Sequence, residues 1–135
     1  MSNAPRVIPF FDHCTIKRPL RENGRCIATV TATPNLCNSF GNAHGGLLMT
    51  LLDACMAGAA SSTVGESASV VTIDMQVNFL TPGSGLLTGE GTVLRGGRSL
   101  IVCEGHIRNE AGELVAKATG LFKPANFPAP RAPSA

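Results

Sequence analysis

The chain has 135 residues, 44% of them hydrophobic, and its 11 Lys and Arg against 9 Asp and Glu give a formal net charge of +2. This length and apolar content fit one domain with one core and argue against global disorder. The basic residues are scattered, and neither Trp nor Tyr is present. Nucleic-acid binders usually need a concentrated basic face or stacking aromatic side chains, so we expect no nucleic-acid partner.

Two further features bear on location and on cofactors. No apolar run approaches the roughly 20 residues of a membrane span, and the start of the chain has no signal-peptide pattern, so we expect a cytoplasmic protein without a membrane partner. The number of cysteines is odd and no two form a C-x-x-C pair, which predicts reduced, unpaired thiols, no metal site and no cofactor. They are Cys14, Cys26, Cys37, Cys55 and Cys103.

The first part of the chain predicts little regular structure. Residues 1–19 contain three prolines, which predict an irregular segment. Arg25 to Thr33 alternates apolar and small polar residues, the pattern of a strand, and Pro34 ends it. The Asn-rich stretch from Asn35 to Ala43 is typical of a loop.

A long helix is predicted from His44 to Val64, with Gly65 as its stop. Its apolar residues recur at helical spacing: Leu47, Leu48, Leu51, Leu52, Cys55, Met56 and Ala59. Asp53 is the only charged residue between His44 and Glu66. A helix that is apolar nearly all round is a buried helix, and the small residues 57–60 would let a sheet approach it closely.

Strand patterns with period two fill the rest of the chain. The predicted strands are 69–80, 86–94, 98–108 and 113–123, and the Pro- and Ala-rich residues 124–135 predict a loose tail. Alternation in the first of these strands puts one set of side chains on each face. The first set is Val71, Ile73, Met75, Val77 and Phe79, and the second is Thr72, Asp74, Gln76 and Asn78.

Strands joined by short turns form an antiparallel sheet, and the apolar helix must bury itself against it. We therefore predict an α+β fold in which a curved antiparallel sheet wraps around one long helix. Residues 1–135 form a single domain, with its core at about 20–123.

Two features of the predicted helix suggest chemistry. Asp53 places a carboxylate among apolar residues, where desolvation would make it a better general base; the alternative is that it faces solvent. His44-Gly45-Gly46 opens the helix, and amides left uncovered by glycines at a helix N-terminus suit a developing oxyanion. The alternative for this motif is an ordinary capped helix start.

The spacing of these two features predicts how they can act together. His44 and Asp53 are nine residues apart, which is about 13 Å along a helix. They cannot both contact one carbonyl from the same helix. If both act on one substrate, two copies of the chain must supply them, which implies a dimer with two equivalent sites at its interface.

The residues Asn38-x-x-Gly41-x-x-His44-Gly45-Gly46, followed by Asp53, resemble the hotdog-fold thioesterases of the phenylacetate-pathway (PaaI-like) type, within the 4-hydroxybenzoyl-CoA thioesterase superfamily. The segments 71–75 and 97–99 fit that family as well. The resemblance covers about residues 20–123. It implies a hotdog fold and an acyl-CoA thioesterase that works as a dimer with shared active sites, with dimers pairing into tetramers.

The resemblance also implies roles for individual residues. Asp53 would be the general base or the nucleophile, and the Gly45 N–H, with Gly46 beside it, would polarise the thioester carbonyl. His44 would orient the thioester, and Asn38 would hold the lytic water or the neighbouring loop. Thr72 would position water beside Asp53. Asp53 and Thr72 would come from one subunit, and Asn38, His44 and Gly45 from the other.

Coenzyme A carries phosphates, so the resemblance also implies cations for them. The candidates are Arg95, Arg98 and Lys123, with Gly97 and Ser99 as further donors at the start of a strand. The alternative is ordinary solvated charge. The acyl group is not specified, although the small residues 57–62 suggest room for a bulky one, such as an aryl ring.

Two other functions fit the same fold. One is a non-catalytic acyl-CoA-binding module, which would keep the cleft but would not need Asp53. The other is a hotdog dehydratase acting on hydroxyacyl thioesters, which would place its acid and base groups differently. The sequence contains no G-x-S-x-G and no H-E-x-x-H motif, so it does not favour a serine hydrolase or a metalloenzyme.

Overall fold

The structure is a computed structural model that describes residues 7–65 and 68–126. A six-stranded antiparallel sheet packs around one long helix, which confirms the predicted α+β hotdog architecture. In chain order the elements are α1 (Pro9–Cys14), β1 (Lys17–Glu22), β2 (Arg25–Thr31), a 3-10 helix (Pro34–Leu36), α2 (Gly45–Ser61), β3 (Ala68–Phe79), β4 (Leu86–Gly96), β5 (Ile101–Arg108) and β6 (Leu114–Asn126).

The N-terminal segment is more regular than predicted. The expectation of an irregular stretch up to residue 19 is wrong from Pro9 onward, because α1 and the first half of β1 lie there. Pro9 stands in the first turn of α1, where a missing N–H costs no hydrogen bond. Pro19 lies in β1, an edge strand of the sheet, where proline is tolerated. Cys14 and Ile16 are only 4% and 6% exposed, so the core begins before residue 20.

The sheet has the strand order β1-β2-β4-β5-β6-β3. The strand that follows α2 therefore does not pair with the next strand along the chain. It pairs with β6 at the far edge, and residues 80–85 carry the chain back to the middle of the sheet. The two edges of the sheet are β1 and β3.

Helix α2 is the centre of the core. Leu51, Leu52 and Met56 are fully buried in it. The helix ends at Ser61, before the predicted Val64, because the hydroxyls of Ser61, Ser62 and Thr63 donate back to main-chain carbonyls of the last turn. Such local bonds compete with helix continuation. Within residues 7–65 and 68–126, no helix is both long and apolar enough to cross a membrane.

The sheet approaches the backbone of α2 very closely. A Cβ added at Gly91 of β4 would lie 2.2 Å from the carbonyl oxygen of Cys55, and one at Gly58 of α2 would lie 2.5 Å from the Cys26 sulfur. The predicted close approach at residues 57–60 is thereby confirmed. The small residues leave room for the sheet, and Gly58, Ala59 and Ala60 are buried against it. Room for a bulky acyl group beside residues 57–62 stays a prediction.

A β-bulge in β3 changes which side chains face α2. Thr72 pairs with Phe122 and Asp74 with Leu121, so Ile73 is an extra residue in the strand. Thr72 therefore faces the helix, as its contact with α2 shows. The predicted alternation, which placed Thr72 together with Gln76 and away from the core, is wrong on this side of the bulge. A bulge shifts the side-chain phase by one residue, and period two alone does not reveal it.

Two strand ends also differ from the prediction. Strand β4 continues to Gly96, and residues 97–100 form the connection to β5, so Gly97, Arg98 and Ser99 lie in a turn and do not open a strand. Strand β6 continues to Asn126 because residues 124–126 pair with Ala68–Val70 of β3. The predicted loose tail is therefore wrong for residues 124–126, and its remainder, 127–135, lies outside the described residues.

We predict that Gly91→Ala destabilises the fold strongly, because the new methyl group would collide with main-chain atoms of α2 that cannot rotate away. The expected loss is about 3 kcal/mol of unfolding free energy, measured by chemical denaturation. Gly96→Ala is the matched control in the same strand, since nothing lies within 4 Å of its added Cβ. Equal stability of the two variants would contradict this view of the core.

Candidate active site

The N-terminus of α2 leaves one amide without a partner. His44 is the N-cap, and its Nδ1 accepts a hydrogen bond of 2.8 Å from the Gly46 N–H. The Leu47 and Leu48 N–H groups donate to the His44 carbonyl oxygen at 2.9 and 3.2 Å. Of the first four helical amides, only that of Gly45 has no acceptor among the described residues. This half-buried donor at the positive end of the helix dipole suits an oxyanion.

The cap also fixes the hydrogen of the His44 ring. A neutral imidazole has one N–H and one acceptor nitrogen, and Nδ1 is the acceptor here. The hydrogen must then be on Nε2. His44 is exposed and adjacent to Gly45 in the chain, so it offers a side-chain donor next to the free amide. The N–H of Gly46, by contrast, is already engaged by the ring.

Asn38 organises the loop in front of the helix. Its side-chain oxygen accepts hydrogen bonds from the N–H groups of Phe40 at 2.9 Å and Asn42 at 3.1 Å. Its own main-chain N–H donates to the Asn42 carbonyl at 2.7 Å, and a bridge between Cys37 and Ala43 closes the loop. Two roles were considered for Asn38, holding the lytic water and holding the neighbouring loop. These contacts fit the second.

An open cleft of about 660 Å³ lies between this loop and the end of β3. Asn38 and Gly45 are part of its wall, so the free amide borders it. The complete lining is Asn38, Phe40, Asn42, Ala43, Gly45, Leu48, Phe79, Leu80, Thr81, Pro82 and Gly83. The sequence analysis did not single out Phe40 as a site residue, although a phenylalanine inside a polar, Asn-rich loop is a usable signal.

Asp53 and Thr72 form the second part of the candidate site. The Thr72 hydroxyl donates a 2.7 Å hydrogen bond to Oδ1 of Asp53. The contact exists because the bulge at Ile73 turns Thr72 towards α2. Asp53 is half-buried on the open side of the helix and is not sealed in the core. A carboxylate held by a hydroxyl on one oxygen keeps its other oxygen for a water or a substrate.

These two parts do not meet within one chain. Neither Asp53 nor Thr72 lines the cleft beside Gly45. Along β3, Thr72 and Phe79 are seven residues apart, which is about 20 Å, and Phe79 is the residue nearest to Gly45 across the cleft. A single chain therefore presents an oxyanion donor at one place and a carboxylate at another.

The candidate phosphate-binding residues lie at the Thr72 end of the sheet. Gly96 pairs with Ile101, Ile101 with Phe122, and Phe122 with Thr72, so the β4–β5 turn and Lys123 share that end. Arg95, Gly97, Arg98, Ser99 and Lys123 are all exposed. Within the described part of the chain, the one salt bridge is Arg25–Glu90, so these cations are not neutralised there.

The buried cysteines do not add a nucleophile. All five thiols are unpaired. Burial raises the pKa of the Cys26 and Cys55 thiols, and it raises that of Cys103 to about 11. A thiol that stays protonated is a poor nucleophile. Among the described carboxylates, Asp53 is the one on α2, the helix whose N-terminus carries the candidate oxyanion donor. Its side chain is held there by the hydrogen bond from Thr72.

Comparison with known proteins agrees with this geometry. The sequence profile of the Thioesterase superfamily matches residues 40–116, which contain the Gly45 amide, Asp53 and Thr72. The chain belongs to the thioesterase superfamily. It is a thioester hydrolase. A protein of Saccharolobus solfataricus that carries the name of an esterase is 34% identical over 120 residues, covering 88% of this chain and 83% of that protein.

Solved structures of similar proteins share the fold. A thioesterase of Haemophilus influenzae superposes with a TM-score of 0.81 at 26% identity, over 87% of this chain and 82% of that one. The Escherichia coli PaaI protein from the phenylacetic acid degradation operon gives 0.80 at 25% identity, over 87% and 84%. A Bacillus halodurans protein solved with coenzyme A gives 0.80 at 26% identity, over 89% and 78%. The resemblance to PaaI-like hotdog thioesterases drawn from the sequence is confirmed.

We predict that Gly45→Pro lowers kcat by about 10² or more, because it removes the free amide that would hold the oxyanion. Proline is well suited to the first helical position, and the His44 backbone already has the extended conformation that precedes proline, with φ −60° and ψ 142°. Steady-state hydrolysis of an acyl thioester measures the change in kcat, and thermal unfolding measures separately any change in stability.

Gly45→Ala is the control for this substitution. It keeps the N–H, and its methyl group would lie 3.7 Å from the Phe79 ring, an ordinary contact. Its turnover should stay near that of the unmodified protein. Equal losses in the proline and alanine variants would show that the amide is not the functional group.

Proposed function

We propose that this protein hydrolyses acyl-coenzyme A to the free acid and coenzyme A at sites shared between two copies of the chain. In each site, Asp53 and Thr72 of one subunit act on a carbonyl bound at Gly45, His44 and Asn38 of the other. The observation that carries this proposal is the separation of the free Gly45 amide from the Asp53–Thr72 pair within one chain.

The sheet offers one edge suited to pairing two copies. Strand β1 has six residues, contains Pro19, and has interrupted pairing with β2, all of which protect an edge. Strand β3 has twelve residues and no proline. Its side chains Ile73 and Phe79 are exposed although they are large and apolar. A second β3 pairing antiparallel along this edge would cover them and continue the sheet.

The residues that face α2 limit the register of such a pairing. Beyond the bulge, Met75, Val77 and Phe79 pair with helix-facing residues of β6. Helix-facing residues must lie opposite each other in a continued sheet. Any two-fold axis centred on a residue beyond the bulge meets this condition; we place it at Gln76, which sets Phe79 opposite the bulge of the second copy. Thr72 and Asp53 of the partner subunit would then lie beside the Gly45 cleft.

Hydrolysis at this combined site needs no group beyond the chain and water. The thioester carbonyl oxygen accepts a hydrogen bond from the Gly45 N–H, which polarises the C=O bond and stabilises the negative charge that develops. Asp53 of the partner subunit takes a proton from water as the water attacks, or it attacks the carbonyl itself. In both routes the C–S bond breaks, and the coenzyme A thiolate leaves and takes up a proton. In the second route, water then hydrolyses the anhydride between the acyl group and Asp53, which releases the acid and regenerates the carboxylate.

Coenzyme A as the thiol component is supported by two observations. One is the structure of the Bacillus halodurans relative, which was solved with coenzyme A. The other is the group of exposed cations Arg95, Arg98 and Lys123 at the Thr72 end of the sheet. Charge-assisted hydrogen bonds from Arg and Lys suit phosphate groups.

We predict that Asp53→Asn lowers kcat by about 10² or more, since the amide keeps the shape of the side chain but accepts no proton. Hydrolysis of acyl-coenzyme A is measured by detecting the free thiol that it releases. Asp12→Asn, an exposed aspartate on α1, is the matched control and should leave turnover unchanged. Turnover of Asp53→Asn within a few-fold of the unmodified protein would sink the catalytic assignment.

Shared sites make a separate prediction about mixtures. Asp53→Asn and Gly45→Pro should each be inactive, but refolding them together should restore about a quarter of the activity, because half of the dimers are mixed and one of their two sites is intact. Native mass spectrometry counts the mixed dimers. Mixed dimers without recovered activity would mean that each site is built within one chain.

A further inference from the structure

The cleft beside Gly45 has mostly apolar, uncharged walls. Phe40, Leu48, Phe79, Leu80 and Pro82 supply apolar surface, and no charged side chain is among its lining residues. Phe40 is 87% exposed, and Phe79 lines the same cleft beside the edge of β3 that the proposed dimer uses. Large apolar groups left open at one place on a chain mark a binding surface.

The position of the cleft decides which part of a substrate can enter it. The free Gly45 amide borders it, so a carbonyl bound there has either its acyl group or its pantetheine arm in the cleft. The pantetheine arm contains two amides and ends in phosphates, which need polar and cationic partners. The cleft offers few polar side chains and no cationic ones.

The cations lie at the other end of the sheet. Lys123 pairs opposite Val71, next to Thr72 in the chain; Arg95 lies near the end of β4, and Arg98 lies in the adjoining β4–β5 turn. In the proposed dimer they belong to the end of the partner subunit's sheet that carries its Thr72, whereas the cleft belongs to the first subunit. The coenzyme A arm would run towards them, and this leaves the cleft to the acyl group.

We infer that the cleft between Phe40 and Phe79 binds the acyl group, and that these two residues select uncharged apolar acyl groups longer than acetyl. This inference rests on the proposed acyl-coenzyme A hydrolysis and adds the substrate class to it. An acyl chain ending in a carboxylate would have to bury its charge without a partner, and binding would oppose that.

Three substrates of graded chemistry test the inference: acetyl-, hexanoyl- and adipoyl-coenzyme A, the last two having the same chain length and differing in a terminal carboxylate. We expect kcat/KM for hexanoyl-coenzyme A to exceed the other two values by about 10-fold or more, because added apolar contact is worth at least that much. Equal values for hexanoyl- and adipoyl-coenzyme A would overturn the inference.

Phe40→Arg gives the sharper test, because Phe40 is exposed and its replacement costs the fold little. A cation in the cleft wall should raise the adipoyl-to-hexanoyl ratio of kcat/KM by about 10-fold. Phe10→Arg places the same change on an exposed phenylalanine of α1 and should leave the ratio unchanged. The ratio cancels any general attraction of the new charge for coenzyme A.

Inhibition by free coenzyme A distinguishes binding of the pantetheine arm from binding of the acyl group. Phe79→Leu should lower kcat/KM for hexanoyl-coenzyme A while the inhibition constant of coenzyme A stays unchanged. A parallel rise in that constant would place the pantetheine arm in the cleft and overturn the inference.

If the unmodified protein cleaves none of the three substrates, the proposed function fails as well. If it cleaves them and Phe40→Arg leaves the ratio of kcat/KM values unaltered, only the acyl assignment fails.

Discussion

The contact on which the rest of the structure depends is the close approach of the sheet to the backbone of α2. Gly91 and Gly105 face Cys55 and Met56 so closely that a methyl group at either position would collide with them. This contact holds the helix along a sheet of hydrogen-bonded strands and fixes where its N-terminus and its middle lie. Both parts of the proposed site, the Gly45 amide and the Asp53 carboxylate, are on this one rigid element.

Rigidity of α2 explains why the site is divided. Nine residues of helix, about 13 Å, separate His44 from Asp53, and no loop can bring them together. The two parts are also far apart along the sheet, since Thr72 of β3 lies beside Asp53 and Phe79 of the same strand lies beside Gly45. The proposed two-fold axis on the open edge of β3 would bring unlike ends together, so one constraint would account for both the exposed strand and the divided site.

Much of the fold and part of the site could be predicted from the sequence, because they depend on local patterns. Helical spacing predicted α2, alternation predicted every strand except β1, and His44-Gly45-Gly46 marked the helix start. Segment ends were missed where a side-chain or tertiary contact overrides propensity. The hydroxyls of Ser61 to Thr63 end α2 early, and pairing with β3 extends β6 to Asn126.

The sequence by itself determined the α+β architecture, the thioesterase resemblance and the distance between His44 and Asp53, because residue spacing sets all three. The family resemblance placed Thr72 beside Asp53, but only the tertiary structure shows how they meet, since a bulge at Ile73 changes the side-chain phase without a signal in the alternation. It also decided that the Gly45 amide is free while that of Gly46 is bonded. The cleft between Phe40 and Phe79 likewise depends on folding, because residues 39 positions apart in the chain line it together.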